Sequence, residues 1–321
     1  MFPVDATLAR RLVDAQFPRW RDRPLERVDP AGSDHVIYRL GADLSARFPR
    51  HPGAAGQAAK EAVWLPFLAP RLPLAVPTPV ALGRPAFGYP WSWGVARWLP
   101  GSSAAGLGGS VPAALTLAEF LSTLQSVPVP PSSDASVPAV PEPSPSPSDR
   151  GVRAAPPPEA EPLAARDDVT RAAIAELSDV FDPAATTRVW QEALDAPPWD
   201  RPRVWFHGDF HTGNLLAAGG RLSAVIDFGG LGAGDPASDL QIAYTLLEPA
   251  PRAAFRAALG LDEATWARGR GWTLTGGLLA YRAYATADRR VAAQTTRQIT
   301  AALADAAPAP GPATARPISR P

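Results

Sequence analysis

HGDFHTGNLLAAGGRLSAVID, residues 207–227, is the stretch that decides how this 321-residue chain is read. Leu215 and Leu216, the pair Gly219-Gly220 and the apolar run 222–226 predict two short strands joined by a tight glycine turn. Such a hairpin returns Asp227 to the side of Asn214, close behind Asp209 in the chain. Transfer of a phosphoryl group to a hydroxyl needs a carboxylate to take the proton and hard oxygen ligands to hold magnesium on the phosphates. The pattern therefore predicts Asp209 as the base and Asn214 and Asp227 as ligands of Mg2+. His207 and His211 are spaced four apart, but Gly208 and Gly213 oppose the helix that would aim both at zinc, and no third ligand follows. His207 is read instead as ordering the loop.

The order Asp, Asn, then Asp-Phe-Gly after a strand is similar to that of protein kinases, with His207-Gly208-Asp209 where those enzymes have His-Arg-Asp. Glycine in place of that arginine separates the chain from protein kinases. HGDFHTGN (207–214) and IDFGGLGAGDPASDL (226–240) resemble the aminoglycoside phosphotransferase family. The resemblance implies an α+β, two-lobed, protein-kinase-like fold with a small antiparallel-sheet N-lobe and a mainly helical C-lobe. It implies a small-molecule kinase that uses Mg2+ to move the γ-phosphoryl group of ATP or GTP to a hydroxyl of an aminoglycoside or other antibiotic, a sugar or a metabolite. It also implies that Asp239 supports the catalytic loop from behind. From the residues alone, Asp235 and Asp239 read first as caps of a helix opening at Pro236.

Composition narrows the field further. Lys and Arg number 31, as do Asp and Glu, and the pI is about 6.9, so nothing suggests a grip on nucleic acid or an anionic membrane. The absence of cysteine excludes disulfides, thiolate metal sites and cysteine nucleophiles. No apolar run reaches signal-peptide or membrane-spanning character, and a cytoplasmic protein is expected. Lys60 is the single lysine and stands between Ala59 and Glu61, which excludes a Walker A phosphate loop. The run 229–234 breaks dinucleotide-binding spacing, because Asp235 falls where the last glycine belongs.

Along the chain, residues 1–100 read as the N-lobe. An amphipathic helix stops near Pro18; strands follow at 25–28, 36–40 and 44–48; a helix over 55–65 is ended by Pro66 and Pro70; and two more strands lie at 80–82 and 93–99. Residues 101–127 hold an inter-lobe helix on Leu115, Leu117, Phe120, Leu121 and Leu124. Residues 128–162, rich in Pro, Ser and Ala, read as an extended or disordered insertion, with a proline-rich partner ligand as the minor alternative. The C-lobe, 163–307, carries the catalytic loop and is helical over 237–304 with breaks at Pro249, Pro251 and Gly260; 308–321 reads as an unstructured tail.

A kinase of this kind needs a cation on the third strand for the phosphates and an acid on the next helix to orient it. Those positions are Arg47, with Arg50 as rival, and Glu61. Lys60 reads as a solvated surface charge. The family resemblance makes Ser33 a candidate in a phosphate-covering turn. It also makes Trp98 and Leu99, at the end of the fifth strand, candidates for the adenine-binding hinge, against simple core packing. For the acceptor, acids are few (Glu248, Asp262 and Glu263), whereas Trp266, Trp272, Tyr281 and Tyr284 suggest an apolar or sugar-faced pocket or, equally, helix core. Arginine in place of lysine and the proline-rich stretch motivate the alternative of a catalytically weak pseudokinase that binds nucleotide or a partner.

Overall fold

The structure is a computed structural model that describes residues 1–29, 32, 34–130 and 157–306. Helix α1 (Ala6–Gln16) is capped by Asp5, whose carboxylate accepts from the Leu8 N–H at 2.8 Å. Five antiparallel strands follow: β1 (Leu25–Arg27), β2 (His35–Leu40), β3 (Leu44–Pro49), β4 (Pro79–Gly83) and β5 (Trp93–Arg97), in the order β1-β2-β3-β5-β4. Strand periodicity sends Leu44, Ala46 and Phe48 to the face covered by Leu12 and Val13 of α1. Ser45 and Arg47, one residue out of step, face the opposite way into the cleft between the lobes.

Helix α2 (Gln57–Leu68) joins β3 to β4 and runs past Pro66. The expectation that Pro66 ends it is corrected. A proline in the last turn forfeits a single backbone bond, and burial of Trp64, Leu65 and Leu68 around it outweighs that loss. The same core takes in Phe120 and Leu121 of α3 (Val111–Ser126), whereas Leu115 is exposed.

The lower lobe contains two small sheets. In one, β6 (Ser102–Ser103) pairs with β8 (Leu215–Ala218), which pairs with β9 (Arg221–Val225); in the other, β7 (Val204–Phe206) pairs with β10 (Gly232–Gly234). Around them pack α4 (Asp167–Glu176), α5 (Pro183–Asp195), α6 (Ile242–Thr245), α7 (Pro249–Leu259), α8 (Glu263–Tyr284) and α9 (Arg289–Asp305). The expected breaks at Pro249 and Gly260 fall at the two ends of α7, after the gap that follows α6, whereas Pro251 breaks nothing: it lies in the first turn of α7, where the missing N–H has no intrahelical partner to lose. An unforeseen turn at 285–288 separates α8 from α9, which Asp288 caps. The architecture is α+β and kinase-like, a small antiparallel-sheet lobe above a mainly helical one.

Residues 131–156 and 307–321, and with them most of the proposed insertion and the tail, lie outside the described residues. The described ends of the insertion are built into the fold, which corrects their reading as unstructured. Pro128 accepts from the Trp205 indole at 3.4 Å, and Pro158 accepts from Ala233 N–H at 2.9 Å. No helix among the described residues is long and apolar enough to cross a membrane.

Candidate active site

Strand β7 delivers His207, Gly208 and Asp209 to the floor of the cleft. Gly208 has φ of 85°, and a Cβ there would lie 2.1 Å from the Gly230 carbonyl oxygen, so only glycine fits where protein kinases carry arginine. Behind the loop, the fully buried Asp239 accepts from His207 N–H at 2.7 Å and from Gly208 N–H at 2.8 Å. Burial pushes its carboxyl up to about 7, against the pull of those two donors. Asp235 does the capping, accepting from Ala237 N–H, and pairs with Arg268 at 2.7 Å.

The buried His207 ring accepts from Asp209 N–H on Nδ1 at 3.2 Å, so its proton sits on Nε2 and is donated to the Ile226 carbonyl at 3.0 Å. Burial holds this imidazole down at about 4. The ring thereby links the strand before Asp209 to the residue before Asp227. Phe210 anchors the loop from below, stacked on Phe120 with centroids 5.6 Å apart.

The Asn214 amide donates to the Asp209 backbone oxygen at 2.9 Å and to Oδ2 at 3.0 Å, leaving the Asn214 side-chain oxygen as the group able to face a cation. Half of the Asp209 side chain remains exposed. Burial disfavours its ionised form, but His211, 3.4 Å away, together with His207 and the Asn214 amide outweighs that and holds the carboxyl below the usual range. His211 is in turn raised: burial lowers it, and its hydrogen bond and charge interaction with Asp209 prevail.

Gly219 and Gly220, at φ of 57° and 74°, form the turn between β8 and β9 that two consecutive left-handed residues allow. The hairpin closes with Ile226 N–H on the Asn214 backbone oxygen at 2.9 Å. Asp227 follows in the left-handed region at φ 63°, a strained conformation for a non-glycine residue. The structure thus brings Asp209, Asn214 and Asp227 together at one end of the cleft.

From above, Arg47 Nη1 donates to both oxygens of the buried Glu61 at 2.9 Å, and Nη2 donates to Asp227 Oδ1 at 3.0 Å. Burial works against the guanidinium, and the two carboxylates prevail and raise it; burial raises Glu61, opposed by Arg47. The rival Arg50 lies just past β3, its backbone bonded to Asp34 and Phe2. Ser33 lies outside the described residues.

A cavity of about 270 Å³ runs outward from Arg47 and Asp227, with Ile37, Pro77 and Ala96 above and Leu216 and Ile226 below. Trp98 and Leu99 line its far end. The Trp98 N–H is already donated to the Asp43 carbonyl at 2.9 Å, which removes it as a hinge donor.

Lys60 corrects the sequence reading. It is half-buried and its ammonium donates to the Gly229 carbonyl; burial lowers its pKa. Lys60 and Glu61, neighbours on α2, are tied to the Asp-Phe-Gly turn by different routes, Lys60 directly at Gly229 and Glu61 through Arg47. Successive helical residues point about 100° apart, an angle that rules out sharing a face but permits these two separate ties. Of the four aromatics considered for the acceptor, only Trp272 lines a large cavity: Trp266 is core, Tyr281 packs on Phe181 and Tyr284 is exposed. Asp262 caps α8, and Glu263 pairs with Arg256 and Arg270.

Among the described residues no group of three or more His, Cys, Asp or Glu is arranged to hold a metal. Asn214 with Asp227 instead suits magnesium, which takes one or two protein ligands and fills its octahedron with phosphate and water.

Sequence comparison against curated proteins finds no match. Among solved structures, the GDP and kanamycin complex of APH(2")-IIia superposes with a TM-score of 0.66 at 18% identity, covering 92% of this chain and 98% of that one. The streptomycin-ATP-APH(2")-IIa ternary complex gives 0.56 at 15%, covering 87% and 91%. Macrolide 2'-phosphotransferase MphH from Brachybacterium faecium gives 0.53 at 22%, covering 92% and 98%. At these identities the likeness concerns the fold. The sequence profile of the phosphotransferase enzyme family matches residues 26–272, and on that extent the chain belongs to this family.

Proposed function

We propose that the protein is a small-molecule kinase that transfers the γ-phosphoryl group of ATP or GTP to an acceptor hydroxyl. The observation that carries this reading is the tie between Asn214 and its two neighbours: its amide holds Asp209, and its backbone oxygen holds the residue before Asp227. Asp209 Oδ2 is fixed by Asn214 and His211, and Oδ1 is left to accept the acceptor's O–H. The hydroxyl oxygen bonds to the γ-phosphorus as the bond to the β-phosphate oxygen breaks. The nucleoside diphosphate leaves, and the proton passes to Asp209. Asn214 and Asp227 would hold Mg2+, which when bound neutralises charge on the phosphates. Arg47 orients Asp227, and the cavity between Ala96 and Leu216 suits a flat nucleobase.

The test is magnesium-dependent consumption of ATP or GTP over a panel of hydroxylated acceptors. Turnover that Asp209→Ala lowers by about 100-fold or more supports the reading. A second reading, a weak pseudokinase, is favoured by the engagement of Arg47 with both Glu61 and Asp227, which leaves it little freedom to reach phosphates. Nucleotide binding without turnover on any acceptor would establish that second reading in place of the first.

A further inference from the structure

A cavity of about 610 Å³, larger than the nucleobase-sized one, lies on the other side of the Asp-Phe-Gly turn from it. Its wall includes Gly208, the residue before Asp209, and Gly229 and Gly230, which follow Asp227. From there it extends to Trp199 and to Trp272 of α8. A molecule filling it therefore abuts both loops of the transfer site.

Its charges are arranged unequally. Three acids line it, and each is held by an arginine of the same wall: Glu159 by Arg203 at 3.4 Å, Glu161 by Arg166 at 3.1 Å and Asp235 by Arg268 at 2.7 Å. Two more cations line it, Arg201 and Lys60. Arg201 pairs with Asp262, outside the wall, at 2.7 Å. The Lys60 ammonium donates to a carbonyl, that of Gly229, rather than to a carboxylate. Among the described residues every arginine of the wall is thus matched by a carboxylate, and Lys60 is the one lining cation whose hydrogen bond goes to a neutral oxygen.

A polyamine entering here finds each lining carboxylate already held by an arginine and meets a like charge in Lys60, so its ammonium groups lose water without gaining partners. An acid finds the opposite, a half-buried ammonium bound only to a neutral oxygen, which a charge-assisted hydrogen bond would satisfy better.

Building on the phosphotransferase reading, we infer that this cavity is the acceptor site and that the acceptor is a hydroxylated molecule bearing an acidic group, the acid on Lys60 and the hydroxyl toward Asp209. A polycation is the wrong class of substrate for it.

Because Lys60 is the chain's single lysine, labelling lysine side chains in the full-length protein gives one ammonium environment to follow by NMR. Three probes are titrated without nucleotide: gluconate, the neutral polyol sorbitol, and kanamycin. Gluconate is expected to shift the Lys60 signal saturably and to bind about tenfold more tightly than sorbitol, as one charge-assisted hydrogen bond allows. Kanamycin should leave the signal in place. Lys60→Gln, with its fold checked by circular dichroism, should bring gluconate down to the affinity of sorbitol by calorimetry. Kanamycin shifting the signal as strongly as gluconate, no response to any of the three, or unchanged gluconate affinity in Lys60→Gln would each overturn the assignment. Binding is read apart from turnover: a protein that binds gluconate through Lys60 but never consumes nucleotide fails the kinase reading, while the cavity's preference for an acid stands.

Discussion

Arg47 ties the third strand of the upper lobe to the Asp-Phe-Gly turn of the lower one, its Nη2 3.0 Å from Asp227 Oδ1 while Nη1 grips both oxygens of Glu61. Sequence separations of 14 and 180 residues meet at one guanidinium. Glu61→Ala leaves that buried cation with one carboxylate and should lower the unfolding free energy by about 3 kcal/mol in urea titration. Arg47→Lys, which has no fork to span two acids, should cost less stability but still weaken nucleotide binding. Full stability in Glu61→Ala would show the pair to be energetically idle.

Gly208→Ala should be among the most damaging single-atom-scale changes in the chain. The added carbon would sit 2.1 Å from a backbone oxygen and hold a left-handed φ. A loss of at least about 2 kcal/mol is expected, with activity falling further as Asp209 shifts. Denaturation and turnover measured on the same variant check it.

Asp239→Asn replaces an acceptor of two backbone N–H groups with one oxygen and one NH2, so either His207 or Gly208 N–H is left facing a donor. The expected cost is about 1–3 kcal/mol. A fall in kcat without a matching rise in KM for nucleotide would mark Asp239 as positioning the loop. Equal changes in both would argue against that role.

His207 gives a pH signature. In the unfolded chain it titrates near 6.5, and in the fold it is held near 4, so between these values the unfolded state binds the proton first. Its contribution is present in full above about 6.5 and is lost as pH falls toward 4, amounting to about 3 kcal/mol. His35, lowered to about 4 chiefly by burial, acts in the same sense, and Asp239, raised to about 7, acts in the opposite one. The informative quantity is therefore the difference between wild type and His207→Gln. The variant should lose less stability than wild type between pH 7 and 4.5, and parallel curves would refute the assignment.

Much of this was legible in the residues because local chemistry and tertiary role coincide. Gly219-Gly220 can hardly do anything but turn, and the turn dictates where Asp227 goes. Strand alternation sends Arg47 toward the cleft, and Glu61 follows at helical distance. What sequence could not supply were positions decided by depth and by distant partners. Lys60 looks exposed by composition, and only the approach of Gly229 brings it to the Asp-Phe-Gly turn. His211 was weighed only as half of a zinc pair, yet its partner is Asp209, two residues away across a bend. Pro66 violates a local rule that the surrounding core overrides. The described ends of the proline-rich stretch looked incapable of packing in part because Pro128 and Pro158 make their contacts through backbone oxygens, which side-chain composition does not report.

Trp64 of α2 meets Trp205 of β7 edge to face, with centroids 5.1 Å apart, and Leu65 and Leu68 share the core of the lower lobe. The helix that carries Glu61 is thus a fixture of the body beneath it rather than a lever. Rotating it outward would strip water-shielded surface from three large side chains, each worth about 1.5–3 kcal/mol. Under the kinase reading proposed above, switching the protein off by swinging this helix away from the Asp-Phe-Gly turn would first have to break that shared core.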